Sequence, residues 1–389
     1  MRAGIWGLAV AVAIGCSSAE EPKGPSLDET MIASLEATQL PGFSAAIVKG
    51  GKVVLAKGWG VSDVASSRPM TERDILVVGS LSKTVTGATI MTLVESGKLS
   101  LDRDVSEVLP FPVRNPKWPD VPITLRMLMT HTSSIQEAAT RLVSLAKPGD
   151  PTVTLRDLLE PYLVPGGKTY VEGESFGAQK PGDKFVYSNF GAALAALVAE
   201  IAVGESFHGY CKRAVLDPLG MRSTSFWMAD LPASQLATHY TWVPSKGQVA
   251  NPQTSVPYYP ATALRTTAAD LGRFLAAIAR GGELDGVRIL KAETVAEMTK
   301  IQVAASAPGN DITGQGLFWE HRPVADRPAW GHGGSYYGAS ARMHLDGRGV
   351  GVIVLANGDL HLRIAVQREE QMAAWGEVER RLWRHADGL

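Results

Sequence analysis

The sequence predicts an α+β sandwich: one antiparallel sheet assembled from both ends of the chain, flanked by helices, with a mostly helical region inserted between. Two observations carry this. Strand-like runs separated by tight turns occur early, in "GFSAAIVKGGKVVLAKGWGV" from Gly42 to Val61, and again late, from Gly314 to Asp359. Residues 101–260 are instead rich in proline, tryptophan and short helical patterns such as "TLRMLMTH" and "TLRDLLEPYL". Strands this far apart in sequence bury their apolar faces most simply in one sheet covered by helices.

The elements follow in order. Lys49-Gly50-Gly51-Lys52 is the turn of an early hairpin. After Lys83, "TVTGATIMTLVES" is apolar on nearly all faces and stops at Gly97, which describes a buried helix with a glycine end. "NFGAALAALVAEIAVG" reads as a second such helix ending at Gly204. In the late region "GQGLFWEHR", "AWGHGGSYYGASARMHLD" and "GVGVIVLANGD" are strands, with a turn at Asp346-Gly347-Arg348-Gly349. The closing "HLRIAVQREEQMAAWGEVERRLWRH" is apolar at helical spacing and suited to lie on the sheet. The organisation expected is therefore a leader over 1–26 and a domain over 27–389. Within that domain, 27–100 and 261–389 form the sheet region around the insertion at 101–260.

The chain of 389 residues is 45% hydrophobic and 20% charged, with a formal net charge of -1. That is ordinary globular composition. With no basic run or excess of positive charge, it argues against a nucleic-acid partner. The leader "MRAGIWGLAVAVAIGCSSAEEPKGPS" has Arg2 followed by an apolar run from Ala3 to Gly15. Such a run falls short of the roughly 20 residues that span a bilayer, and has the length of a signal-peptide core. Ala13-Ile14-Gly15-Cys16 resembles the bacterial lipobox, which would make Cys16 a lipidated first residue, although alanine stands at 13 where leucine is commoner. Cleavage after Ser17-Ser18-Ala19 is the rival reading. Either way the chain is expected to be exported, as a membrane-anchored periplasmic or cell-envelope lipoprotein or as a secreted soluble protein. Cys16 and Cys211 are the only cysteines, so a mature lipoprotein would hold no internal disulfide pair.

A serine attacks a carbonyl only with a base beside it, and a lysine one helical turn away can serve. In "VVGSLSKTVTG", Ser80 and Lys83 are three apart and share a face if a helix starts near Ser80. Burial among apolar neighbours would disfavour the ammonium and lower the lysine pKa. The spacing recurs at Ser144 and Lys147, but Pro148-Gly149-Asp150-Pro151 follows and cannot continue a buried helix. Gly173-Glu174-Ser175-Phe176-Gly177 matches a nucleophile elbow in form only, because that motif needs a strand before it and a helix after it. Two motifs lie downstream. Tyr187-Ser188-Asn189 is the sole Tyr-x-Asn, and its outer residues face one way in an extended link; His332-Gly333-Gly334 is the sole His-x-Gly.

In this order the three motifs resemble those of the serine β-lactamase/penicillin-binding superfamily, in its class C-like branch of lactamases, D-Ala-D-Ala peptidases and esterases. "PGDKFVYSNFGAALAALVAEIAVGESF", "DPLGMRSTSF" and "TTAADLGRFLAAIARGGELDGVRIL" extend the resemblance from about Leu27 almost to the C-terminus. It implies a β-lactamase/transpeptidase-like fold and acyl-enzyme chemistry on an ester, amide or cell-wall peptide, with no cofactor or metal. Ser80 would be the nucleophile, with Lys83 and Tyr187 sharing proton transfer. Asn189 would hold Lys83 or the substrate amide. The backbone N–H groups of Ser80 and Ser335 would form the oxyanion hole, and Gly334 would let substrate approach the strand edge. His332 stands where many relatives have lysine, and Gly333 where they have a hydroxyl residue. Capture of a substrate carboxylate is thus expected to be weak, which favours an esterase or a peptidase over a lactamase. Ser134, in "THTSSI", replaces a usual glycine and is expected to affect only a turn. His131 is read as structural, Ser82 as scaffold, and the other histidines have no metal-ligand spacing. The alternatives are a catalytically idle relative that binds cell-wall peptide or a protein partner, and, more remotely, an α/β-hydrolase using Ser175.

Overall fold

The structure, a computed structural model, describes residues 25–304, 312–360 and 369–389. Cys16 and the rest of the lipobox lie outside the described residues, as does the stretch 361–368. The main sheet has eight strands: β1 (Gly42–Lys49), β2 (Lys52–Asp63), β3 (Arg68–Pro69), β4 (Gly314–Gln315), β5 (Glu320–Val324), β6 (Arg327–Tyr336), β7 (Ala339–Asp346) and β8 (Gly351–Ala356). Their spatial order is β4-β5-β6-β7-β8-β1-β2-β3, and every neighbouring pair is antiparallel. The two ends of the chain join at β1 and β8, where Phe43 stands opposite Ala356 and Val48 opposite Gly351. This is the α+β sheet built from both ends that the sequence predicts.

Side chains alternate across β1 and are buried on both faces, which is why it reads as a continuous apolar run. Ala45 and Ile47 join one core with α1 (Leu27–Thr38) and α5 (Glu369–Gly388), around Met31, Trp375, Leu382 and Trp383. Ala46 and Val48 join the larger core with α2 (Ser82–Glu95), α3 (Asn189–Val203) and α4 (Ala268–Ala279). Beside the long α3, the insertion contains shorter helices and a hairpin, His239–Val243 with Gly247–Asn251.

The buried helix α2 carries threonines whose hydroxyls need partners. Thr84 donates to the carbonyl of Leu81, Thr86 to that of Pro260 and Thr89 to that of Val85. Ser188 caps α3 by accepting from the Gly191 N–H, and Gly204 ends the helix at φ +73°. Among the described residues no single helix is long and apolar enough to cross a membrane. The bent pair α3 and Phe207–Leu216 passes on composition, but Ala192 to Ala199 of α3 lie in the core.

Glu379 fastens α5 to the sheet. It is buried beneath β7, where its carboxylate accepts from His344 Nδ1 and, at 3.1 Å, from Arg342 Nη1. Burial alone would raise its pKa, but His344 and Arg342 bring it down to about 2. A depressed carboxylate adds stability that is complete above its ordinary range and lost as pH falls through about 2. Glu379→Gln is therefore expected to cost about 2 kcal/mol at pH 7 and progressively less on acidification. Urea unfolding at pH 7 and pH 3 checks this, and an equal cost at both would contradict it.

Candidate active site

The segment Leu76–Val77 pairs with Arg265–Thr266 and delivers the chain to Gly79. Gly79 has φ +56°, and a Cβ there would lie 2.5 Å from the Ser335 nitrogen, so only glycine lets this turn press against β6. A 3-10 turn, Gly79–Leu81, then runs into α2 and sets Ser80 and Lys83 on one face. Ser82 donates to the Gly79 carbonyl at 2.6 Å and accepts from the Leu264 N–H at 3.0 Å, a scaffold role as expected.

Lys83 is fully buried. Its Nζ donates to Asn189 Oδ1 and to the Ala261 carbonyl, both at 2.8 Å, and lies 3.3 Å from Ser80 Oγ. Burial lowers its pKa to about 7, against the opposing pull of the carboxylates Glu137 and Glu320. Tyr187 lies with its ring centre 4.6 Å from Lys83 Nζ. Its buried hydroxyl has no partner at standard hydrogen-bond geometry among the described residues. Burial raises the phenol pKa far above its ordinary value, only partly offset by the Ser80 hydroxyl, so the phenol stays neutral.

His131, read from sequence as structural, supports this group directly. Its ring packs 4.4 Å from that of Tyr187, its Nδ1 accepts from the Ser188 N–H, and its carbonyl accepts from the Val186 N–H. His332 is only 2% exposed. Its ring lies 6.2 Å from Tyr187, Nδ1 is 2.5 Å from the Gly333 carbonyl, and Nε2 is 3.5 Å from Glu320. Burial pushes its pKa down while Glu320 works to raise it. A Cβ on Gly334 would meet the Val78 carbonyl at 1.9 Å, whereas one on Gly333 has open space. The structure thus brings Ser80, Lys83, Tyr187, Asn189, His332, Gly334 and Ser335 to one place.

Two residues there escaped the sequence reading. Glu137 meets the N-terminus of α3, and Glu320 lies on β5 with Arg322 2.7 Å away. A charged residue directly after Phe318 and Trp319 was a usable signal for Glu320; Glu137 has no local pattern. The rejected candidates are elsewhere. Ser144 ends a short helix and donates to the Arg141 carbonyl, and Ser175 sits in a turn with its hydroxyl accepting from the Val171 N–H. Ser134 holds a left-handed φ of +65°, fixed by Asn115 Nδ2 at 2.9 Å, so the turn survives the missing glycine. Among the described residues no group of three or more His, Cys, Asp or Glu side chains could hold a metal.

The family model "Beta-lactamase" matches residues 27–374. The chain belongs to the beta-lactamase family. This bears out the resemblance drawn from the three motifs. Among curated relatives, Protein flp of Staphylococcus aureus (strain N315) is 28% identical over 252 residues, 64% of this chain and 47% of the relative. Penicillin-binding protein 4* of Bacillus subtilis (strain 168) is 26% identical over 195 residues, 50% of this chain and 40% of the relative. This beta-lactamase-family chain thus spans less than half the length of those relatives. Among solved structures, the octameric penicillin-binding protein homologue from Pyrococcus abyssi superposes with TM-score 0.73 at 26% identity, covering 85% of this chain and 73% of that one. D-amino acid amidase from Ochrobactrum anthropi SV3, complexed with L-phenylalanine amide, gives 0.72 at 20% identity, covering 92% and 99%.

Proposed function

We propose that the protein is a serine hydrolase that forms an acyl-enzyme at Ser80, with Lys83 as the base. The geometry of Lys83 carries this reading. Two fixed carbonyl acceptors, on Asn189 and Ala261, occupy two N–H bonds of a neutral amine, which leaves the lone pair for the Ser80 O–H. A pKa of about 7 makes that neutral amine available at ordinary pH. The high pKa of Tyr187 argues against a tyrosinate base and suits a phenol that passes protons on.

Ser80 Oγ bonds to the carbonyl carbon as its proton moves to Lys83. The backbone N–H groups of Ser80 and Ser335 receive the oxyanion. Collapse breaks the bond to the leaving group, which takes a proton from Lys83 through Tyr187, and water then releases the acyl group by the same steps. The substrate class favoured is an ester or amide without a carboxylate beside the scissile bond. His332 is buried and its protonation disfavoured, and Gly333 offers no hydroxyl, so neither serves as a strong carboxylate anchor. Export, with lipidation at Cys16, belongs to the same reading.

Labelling with a fluorophosphonate tests the nucleophile. One adduct is expected on the native protein, located by mass spectrometry on the peptide that holds Ser80, and none on Ser80→Ala. Undiminished labelling of the variant would remove Ser80 from its role.

A further inference from the structure

Glu137 lies on the loop after His131 and is half-buried at the head of α3. Its Oε1 accepts from the Asn189 N–H at 2.7 Å. Its Oε2 accepts from Ser188 Oγ at 2.7 Å and from the Phe190 N–H at 3.3 Å. Two of these partners are backbone N–H groups that can only donate, so they and the nearby Lys83 favour the carboxylate against burial, which pushes its pKa up. The same three residues form the end of the Tyr-x-Asn segment and the start of α3. Asn189, gripped by Glu137 through its backbone, grips Lys83 through its side chain at 2.8 Å.

We propose that Glu137 is a positioning residue for Lys83: it locks the segment that carries Asn189 and places a negative charge near the buried amine. Without it, the positive end of α3 would face a buried lysine with one fewer counter-charge. Lys83 is faced by His131, Tyr187 and His332 and by the carboxylates Glu137 and Glu320, and Glu137 by Tyr162, Tyr187 and Tyr258. Glu320 is shared with His332 and Arg322, while Glu137 has no cationic side chain hydrogen-bonded to it among the described residues, which leaves Lys83 as its buried counter-charge.

The proposal rests on Lys83 acting as base, and its test is read independently of turnover. In protein labelled with [ε-13C]lysine, the Lys83 resonance, assigned by its loss in Lys83→Met, is titrated by NMR. Glu137→Gln is expected to lower the Lys83 midpoint by at least about half a pH unit, and Glu137→Asp to keep it near the native value. The acid limb of kcat/KM should move down by the same amount, whereas a merely structural role would lower the plateau and leave the limb in place. If Glu137→Gln does not fold, reciprocity supplies the second measurement: the Glu137 carboxyl midpoint should rise by a similar amount in Lys83→Met. An unmoved Lys83 midpoint in Glu137→Gln, or an unmoved Glu137 midpoint in Lys83→Met, overturns the proposal. A moved midpoint without turnover would instead strike the hydrolase reading alone.

Discussion

Lys83→Met is expected to lower kcat/KM for a short-chain ester by roughly 10²–10⁴-fold, the usual worth of a positioned general base. In the native protein the rate should rise with pH through about 7, as the buried amine loses its proton. The variant's residual rate should lack that rise. Stability should change as well. The folded-state pKa of about 7 lies below the ordinary lysine value of 10.5. Between these limits the unfolded chain binds a proton that the folded one does not, so this group makes stability increase with pH over that window. Lys83→Met removes the increase. Steady-state rates and urea unfolding from pH 6 to pH 10 test both parts, and a variant that retains the native pH slope would exclude Lys83 as the titrating group.

The adjacent glycines of β6 should respond in opposite ways. A methyl group on Gly334 would be driven into the Val78 carbonyl, at a junction where β6 meets the turn that presents Ser80. Gly334→Ala is expected to cost about 3 kcal/mol or more, and to lower kcat/KM at least about 100-fold as Ser335 shifts from Ser80. Gly333→Ala meets nothing within 4 Å and should change stability by less than about 0.5 kcal/mol. Denaturation of the two variants side by side makes the comparison. Equal effects at 333 and 334 would deny that close approach is what requires glycine there.

The fold was legible where periodicity and punctuation coincided. Glycines marked the hairpin between β1 and β2 and the ends of α2 and α3, and continuous burial gave β1 and α2 their apolar runs. The Ser80–Lys83 pair could be recognised because α2 is apolar all round, which makes its lysine conspicuous. Ser144 shares the spacing, but its helix has no fully buried residue, and there the proline-glycine context was the deciding signal. Glu137 could not be found this way. Its role arises only when the loop after His131 is folded against the head of α3, a contact 52 residues long in sequence. The setting of His332 was hidden for the same reason: Glu320, 3.5 Å from its ring, comes from a neighbouring strand, and a His-x-Gly motif does not state what lies across the sheet.

The union of the chain's two ends in one sheet bears on when the molecule becomes competent during synthesis. Ser80 and Lys83 leave the ribosome early, while β6, which closes the turn over Ser80, and β8, which completes the edge of β1, are made near the end. Contacts this distant form slowly, because nearly the whole chain must first be ordered in between. A nascent or truncated chain ending before Gly351 would carry the reactive pair with β1 held only by β2 and its other edge open. On the reading proposed here, a chain threaded across a membrane from its N-terminus would travel in an inert form and acquire its reactivity only after its last strands had followed.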